Sequence, residues 1–382
     1  MRFSSALSEH PESVEAAGEV IGRTLEALGE GPDLVVVFAS AHHREAFPQL
    51  CSAMRRLLRP VTLLGAVASA VVGGDREVEA GPALSVWAGC GLGGARPVRL
   101  GPAYDTGPAS APIAPGPSPL DAVGSGTLVL LADPFSFDAD RFARHLGATR
   151  PDLDVVGGLL SAGRGPGRNQ LVLDGAAHWD GAVGVVLDAG TVGATVVSQG
   201  CRPVGQPFTV TRASGNLIEQ IAGRPAVALL NTAIEQCPPE EQALLRRGIQ
   251  IGRVVDEHRS EFGPGDFLVR AVLGVDRATG GLVVGDEVEI GATVQFHVRD
   301  EASADDDLRR MLAGAEADAA LLFTCDGRGA SLFGVPDHDV TVLNELTGSR
   351  ATAGMFCGGE LGRIGGQPHV HGFTATMALF GR

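Results

Sequence analysis

The sequence predicts an α+β protein: layered mixed and antiparallel sheets flanked by helices, in two consecutive halves of about 1–203 and 204–382. Three observations lead there. Short apolar runs bounded by glycine, proline or aspartate turns recur along the whole chain and read as strands. Amphipathic segments with helical spacing stand between only some of them, and no strand–turn–helix glycine fingerprint marks a doubly wound nucleotide fold. An apolar run closed by paired glycines appears three times, at Val71-Val72-Gly73-Gly74, Val155-Val156-Gly157-Gly158 and Phe356-Cys357-Gly358-Gly359, which suggests related halves.

Residues 2–7 read as a short strand. Val14, Ala17, Ile21, Leu25 and Leu28 then mark one face of a helix that begins near Pro11-Glu12-Ser13 and stops at Gly29-Glu30-Gly31-Pro32. Leu34 to Phe38 is a continuous apolar run suited to a strand buried on both faces. A helix is expected from His42 to Leu58, ended by Pro60, then an apolar stretch from Val61 to Val72 and a strand at Leu84 to Ala88. Residues 101–126, rich in Pro, Gly, Ala and Ser, read as a long mobile surface loop. Beyond it come a strand at Leu128 to Ala132, a helix at Asp138 to Leu146, a strand at Val155-Val156 and a meander from Asn169 to Val197. The second half is expected to hold a strand at Phe208 to Thr211 and a helix at Asn216 to Ile221. A broken helix follows at Ala226 to Leu245, then strands at Phe267 to Val272, Leu282 to Val284 and Thr293 to Val298. A helix at Ala302 to Ala315 leads to a buried strand at Ala319 to Phe323.

Bulk properties exclude several functions. A net charge of −15, with basic residues scattered, argues against nucleic acid and against anionic membrane surfaces. The chain has no lysine, so all 30 basic residues are arginine; this rules out a Schiff-base lysine and the P-loop lysine. Arginine recognition of carboxylates stays open. Six scattered cysteines without Cys-x-x-Cys spacing, no apolar leader after Met1-Arg2-Phe3, and no bilayer-length apolar run lead to the expectation of a cytoplasmic, reduced protein.

Two stretches carry polar chemistry at the ends of apolar strands. One is Phe323-Thr324-Cys325-Asp326-Gly327-Arg328-Gly329; the other is Gly354-Met355-Phe356-Cys357-Gly358-Gly359-Glu360-Leu361-Gly362, followed by His371-Gly372-Phe373-Thr374. Together with Val155-Val156-Gly157-Gly158-Leu159, Gly200-Cys201-Arg202-Pro203-Val204-Gly205 and Asn216 through Ala226, in this order, they resemble the FIST N and FIST C domains. The resemblance implies a bacterial-type ligand-sensing module for small molecules such as amino acids, without established enzymatic activity. It implies no cofactor. Relatives are fused to output segments, which here implies a separate signalling partner protein or an output through self-association.

The expected pocket is built from Cys325, Arg328, Gly329, Cys357, Gly358, Glu360 and His371. In that scheme Arg328 meets a ligand carboxylate and Glu360 an amine, the roles that an amino acid would fill. Cys357 and the glycines shape the wall, and His371 supplies a hydrogen bond. The rival reading is a hydrolase or transferase that uses Cys325 or Cys357 with His371 as base; a third is an interaction scaffold. A metal site of Glu360, His369 and His371 is the weaker reading, because His369 sits in a polar loop and outside the family pattern. Arg164-Gly165-Pro166-Gly167-Arg168 resembles a phosphate-cradling loop but lacks the Walker spacing and a lysine, and reads as a β-hairpin turn.

Overall fold

The computed structural model describes residues 1–102, 118–259, 261–263 and 265–381. The packing divides the chain into two compact units that do not follow the linear halves. One comprises Met1–Val197, Arg309–Val370 and Thr374–Arg382; the other comprises Ser198–Leu308 and His371–Phe373.

In the first unit, among the described residues, the strands form three six-stranded mixed sheets, and each carries a parallel pair beside antiparallel neighbours. The first sheet runs Arg2–Ser8, Leu84–Cys90, Leu34–Ser40, Thr62–Ala68, Leu171–Leu173, Ala176–His178, with Leu34–Ser40 and Thr62–Ala68 parallel. The second runs Gln367–His371, Glu360–Ile364, Leu153–Leu159, Gly126–Ala132, Ala182–Asp188, Ala95–Leu100, with Gly126–Ala132 and Leu153–Leu159 parallel. The third runs Val192–Gln199, Thr374–Phe380, Ala319–Cys325, Ala351–Cys357, Val71–Gly73, Arg76–Val78, with Ala319–Cys325 and Ala351–Cys357 parallel.

Strand alternation builds the layers. Val35, Val37 and Ala39 face a core closed by the helices Ser13–Leu28 and Phe47–Leu58, through Val20, Leu50 and Met54. Leu34, Val36 and Phe38 face the opposite core, shared with Leu321, Phe323, Met355 and Phe380 of the third sheet and Val129 and Val185 of the second. Both faces of Leu34–Ser40 are thus buried, as its unbroken apolar run requires. Trp87 crosses this core; its indole N–H donates to the Ala351 carbonyl at 3.1 Å, and its ring packs 4.8 Å from that of Phe380.

In the second unit the described strands are antiparallel, in the order Cys201–Ser214, Thr293–Arg299, Gln250–Val254, Phe267–Asp276, Gly281–Val284, Leu217–Ile221, Arg224–Pro225. Cys201–Ser214 also pairs with Leu217–Ile221, so six strands close into a ring. Ile218, Ile221, Leu230 and Phe296 fill its core beside the helix Ala226–Gln236.

Several expectations are corrected. Residues 217–221 form a strand, not a helix: Gly215 at φ 58° turns the chain into a hairpin, and Ile218 and Ile221 gain more burial inside the ring than one helical turn offers. The helix placed at His42 to Leu58 is a short 3₁₀ turn, Ala41–His43, followed by Phe47–Leu58, because Pro48 is suited only to a first helical turn. Arg164 to Arg168 is not a hairpin turn. The strands on either side, Leu153–Leu159 and Leu171–Leu173, belong to different sheets. Of the loop expected at 101–126, residues 103–117 lie outside the described residues, while 118–125 is held in place: Leu120 is buried, and Arg150 donates to the carbonyls of Leu120, Val123 and Gly124.

A candidate ligand site at the ends of parallel strands

Ala319–Cys325 and Ala351–Cys357 lie in parallel register, with Cys325 opposite Cys357, so both thiols sit at the carboxyl end of a buried pair. The chain then turns sharply: the Asp326 amide donates to the Cys357 carbonyl at 2.9 Å and the Arg328 amide to the Cys325 carbonyl at 2.8 Å. Gly329 leaves this turn at φ 67°, where a Cβ would meet the Glu79 carboxylate at 2.7 Å. That carboxylate accepts from the Ala330 amide at 2.7 Å. Glycine is required here for both its conformation and its lack of a side chain.

The turn sends Arg328 inward, where the residue is only 1% exposed. Its Nε donates to Asp339 Oδ2 at 2.7 Å and its Nη2 to Asp339 Oδ1 at 2.8 Å, a two-pronged pair. Thr324 Oγ1 adds a third donor to Asp339 at 2.7 Å, and the guanidinium lies 5.2 Å from the centre of the Phe333 ring. Burial alone would raise the Asp339 pKa; the Arg328 charge and hydrogen bonds outweigh it and hold the carboxyl well below its ordinary range. The expected role of Arg328, meeting a ligand carboxylate with its fork, is therefore taken within the protein by Asp339. Only Nη1 is left without a hydrogen-bond partner among the described residues.

Two buried carboxyls complete the network. Glu360, which pairs in register with Gly158, accepts from the Thr374 amide at 3.2 Å and the Thr374 hydroxyl at 2.7 Å through Oε2. Its Oε1 has no hydrogen-bond partner among the described residues. Burial pushes Glu360 up to about 8, with Thr374, Arg328 and Cys325 acting in the opposite direction. Glu77 accepts from the Val340 amide at 2.8 Å through Oε1 and is likewise pushed up to about 8, first by burial and then by the Asp339 charge. Glu77 Oε2 is again unpartnered among the described residues. The site thus holds a buried cation, one firmly ionised carboxylate and two carboxyls that retain protons near neutrality.

The rim is formed by neighbouring parallel pairs. Ser69 follows Thr62–Ala68, and Ser161 stands shortly after Leu153–Leu159. Ser69 Oγ donates to Asp326 Oδ1 at 2.5 Å and lies 3.0 Å from Ser161 Oγ, which donates to the Phe356 carbonyl at 2.7 Å. The carboxyl ends of strands from three sheets therefore converge on one point, the position where open sheets place their ligands. Ser69, Asp326 and Gly358 are exposed there.

Of the expected residues, Cys325, Arg328, Gly329, Cys357, Gly358 and Glu360 are brought together in the first unit, whereas His371 is buried and counted with the second. Burial pushes the Cys357 thiol well above its ordinary pKa, with the Glu360, Asp326 and Cys325 charges acting the same way. Among the described residues no group of three or more His, Cys, Asp or Glu side chains is arranged to hold a metal ion. Sequence reasoning missed Glu77, Asp339, Ser69 and Ser161. They lie far along the chain from the motifs or read as ordinary surface residues, and only tertiary pairing marks them.

Comparison with known proteins agrees with the motifs. The family models for the FIST N domain and the FIST C domain match residues 33–224 and 226–363. Over 387 positions the chain is 41% identical to an uncharacterised protein of Mycobacterium bovis and to one of Mycobacterium tuberculosis, covering 100% of this chain and 99% of each relative. A further uncharacterised M. tuberculosis protein is 40% identical over 403 positions, with 100% of both chains covered. FIST domains are sensory domains of signal transduction that respond to small ligands. With both of its domain types in tandem, this chain belongs to the FIST family.

Proposed function

We propose that this protein is a cytoplasmic sensor of a small molecule of the amino-acid class, bound where the strands Ala319–Cys325 and Ala351–Cys357 end, and that it passes its signal to a separate partner protein. The observation that carries this reading is a trio of buried polar atoms on one charge network, Arg328 Nη1, Glu360 Oε1 and Glu77 Oε2, that have no hydrogen-bond partner among the described residues. Buried polar atoms are ordinarily satisfied, so three such atoms on groups that interact electrostatically with one another through Arg328 favour a ligand or ordered water that supplies both a donor and an acceptor. An amino acid supplies both: its ammonium suits a carboxyl oxygen and its carboxylate suits Arg328 Nη1. The thiols serve this reading as wall. A thiol whose pKa is raised as far as that of Cys357 is a poor nucleophile, which counts against the hydrolase alternative at that residue.

Calorimetric titration with a panel of amino acids in buffers of different ionisation heat tests the proposal. An ammonium bound to Glu360 requires that carboxyl to ionise, so binding should release a proton and tighten by up to about tenfold for each unit that the pH rises toward 8. Glu360→Gln should abolish both effects. Binding that is independent of pH and unchanged in Glu360→Gln, or no binding by any member of the panel, would refute the assignment.

A further inference from the structure

We propose a second ligand site in the first unit, a cavity of about 470 Å³ lined by Arg44, Glu45, Arg168, Gln170 and Trp179, that takes a small anion with a planar ring and an N–H donor. Its volume lies within the range of small-molecule sites, roughly 300–1,000 Å³. Its lining shares no residue with the network around Arg328, and the function proposed above does not depend on it.

Charge argues for an anion. In a protein of net charge −15, two arginines line this one concavity without an ion-pair partner among the described residues. Arg44 is positioned by its Nη2, which donates to the Ala162 carbonyl at 2.7 Å, while its buried Nε has no partner among the described residues. Arg168 is exposed, carried on a tight turn closed by its own amide to the Gly165 carbonyl at 3.2 Å. Guanidinium groups set in a cleft recognise carboxylate or phosphate oxygens. Glu45 lines the same cavity, so a ligand of low charge is favoured over a polyphosphate.

Shape and hydrogen bonding specify the rest. Trp179 is 51% exposed, an unusual position for so large an apolar ring, and it lies on the cavity wall. An indole so placed gives a stacking surface for a planar ring. Gln170 is 5% exposed, and its Oε1 is buried without a hydrogen-bond donor among the described residues. Gln170 lines the cavity, so a ligand N–H that reaches its amide oxygen would satisfy this acceptor. A nucleoside monophosphate and an aromatic aminocarboxylate both offer this chemistry.

The test uses the full chain with adenosine monophosphate, anthranilate, benzoate and inorganic phosphate at up to millimolar concentration, read by calorimetry and by tryptophan emission. Trp179 is exposed and Trp87 is buried, so quenching reports the site. Adenosine monophosphate or anthranilate should bind and quench; which of them binds identifies the phosphate or the carboxylate source. Arg168→Ala, at an exposed position, should weaken that binding at least tenfold. Gln170→Leu should reduce the preference for anthranilate over benzoate. Failure of both ring anions to bind, or binding indifferent to Arg168→Ala, would overturn the site. Benzoate binding as tightly as anthranilate, where anthranilate is the ligand, would overturn the N–H requirement.

Discussion

A carboxyl group held near pH 8 inside a protein makes stability depend on pH in a predictable direction. Glu360 and Glu77 are both raised in the folded state, from an ordinary 4.5 to about 8. Between those values the folded chain keeps protons that the unfolded chain has lost, so the stability contributed by these two groups is full below about pH 4.5 and is lost as pH rises toward 8. Glu360→Gln keeps an acceptor for Thr374 without the titration. Its unfolding free energy, followed by urea denaturation from pH 5 to 8.5, should decline less steeply than that of the wild type, and the variant should gain on the wild type by on the order of a few kcal/mol at the alkaline end. Equal slopes would mean that Glu360 is already ionised when folded. Arg328 obeys the opposite logic. Arg328→Ala strands the Asp339 charge in the interior and should cost about 3–5 kcal/mol, whereas Arg328→Met with Asp339→Leu should recover most of that loss. Denaturant midpoints of the three proteins decide it.

At the scale of elements, the site depends on how closely neighbouring strands approach. Gly158 pairs in register with Glu360, and a Cβ added there would fall 2.2 Å from Cys357 Sγ. Gly158→Ala should therefore destabilise by about 1–3 kcal/mol, and by less in a Cys357→Ala background; additive losses in thermal unfolding would show that the thiol is not what the glycine accommodates. The helix Ser13–Leu28 was legible in the sequence by the helical spacing of its apolar residues, and the strand Leu34–Ser40 by an unbroken, largely β-branched apolar run between turn residues. The strand Leu217–Ile221 was not, because five residues are too few to separate a period of two from one of 3.6. The site divides in the same way. Cys325, Arg328, Cys357 and Glu360 announce themselves by glycine-rich strand ends. The partner that neutralises Arg328 sits in the helix His338–Thr347 and looks there like any polar residue.

For the whole molecule, the interleaving of chain segments matters more than the order of the two domain types. The first unit draws Ala319–Cys325, Ala351–Cys357 and Thr374–Phe380 into the sheet that also holds Val71–Gly73 and Arg76–Val78, and it sets Glu360–Ile364 beside Leu153–Leu159. A fragment of residues 1–203 would lack these strands and expose the edges of Val71–Gly73 and Leu153–Leu159. It should be aggregated or unfolded by circular dichroism and size exclusion, and adding residues 309–382 in trans should improve its solubility. A soluble, cooperatively unfolding fragment would restore the linear halves as folding units.

The same interleaving sets a timetable for biosynthesis. The ribosome releases Val197, the end of the first long segment of this unit, well before it reaches Arg309, where the second begins. At the usual elongation rates of about 5–20 residues per second, the nascent chain waits on the order of 5 to 20 seconds for the next segment of its core. During that interval the apolar faces of the early strands are open to holdase chaperones, so a cell short of those chaperones should lose this protein before it is ever fully made.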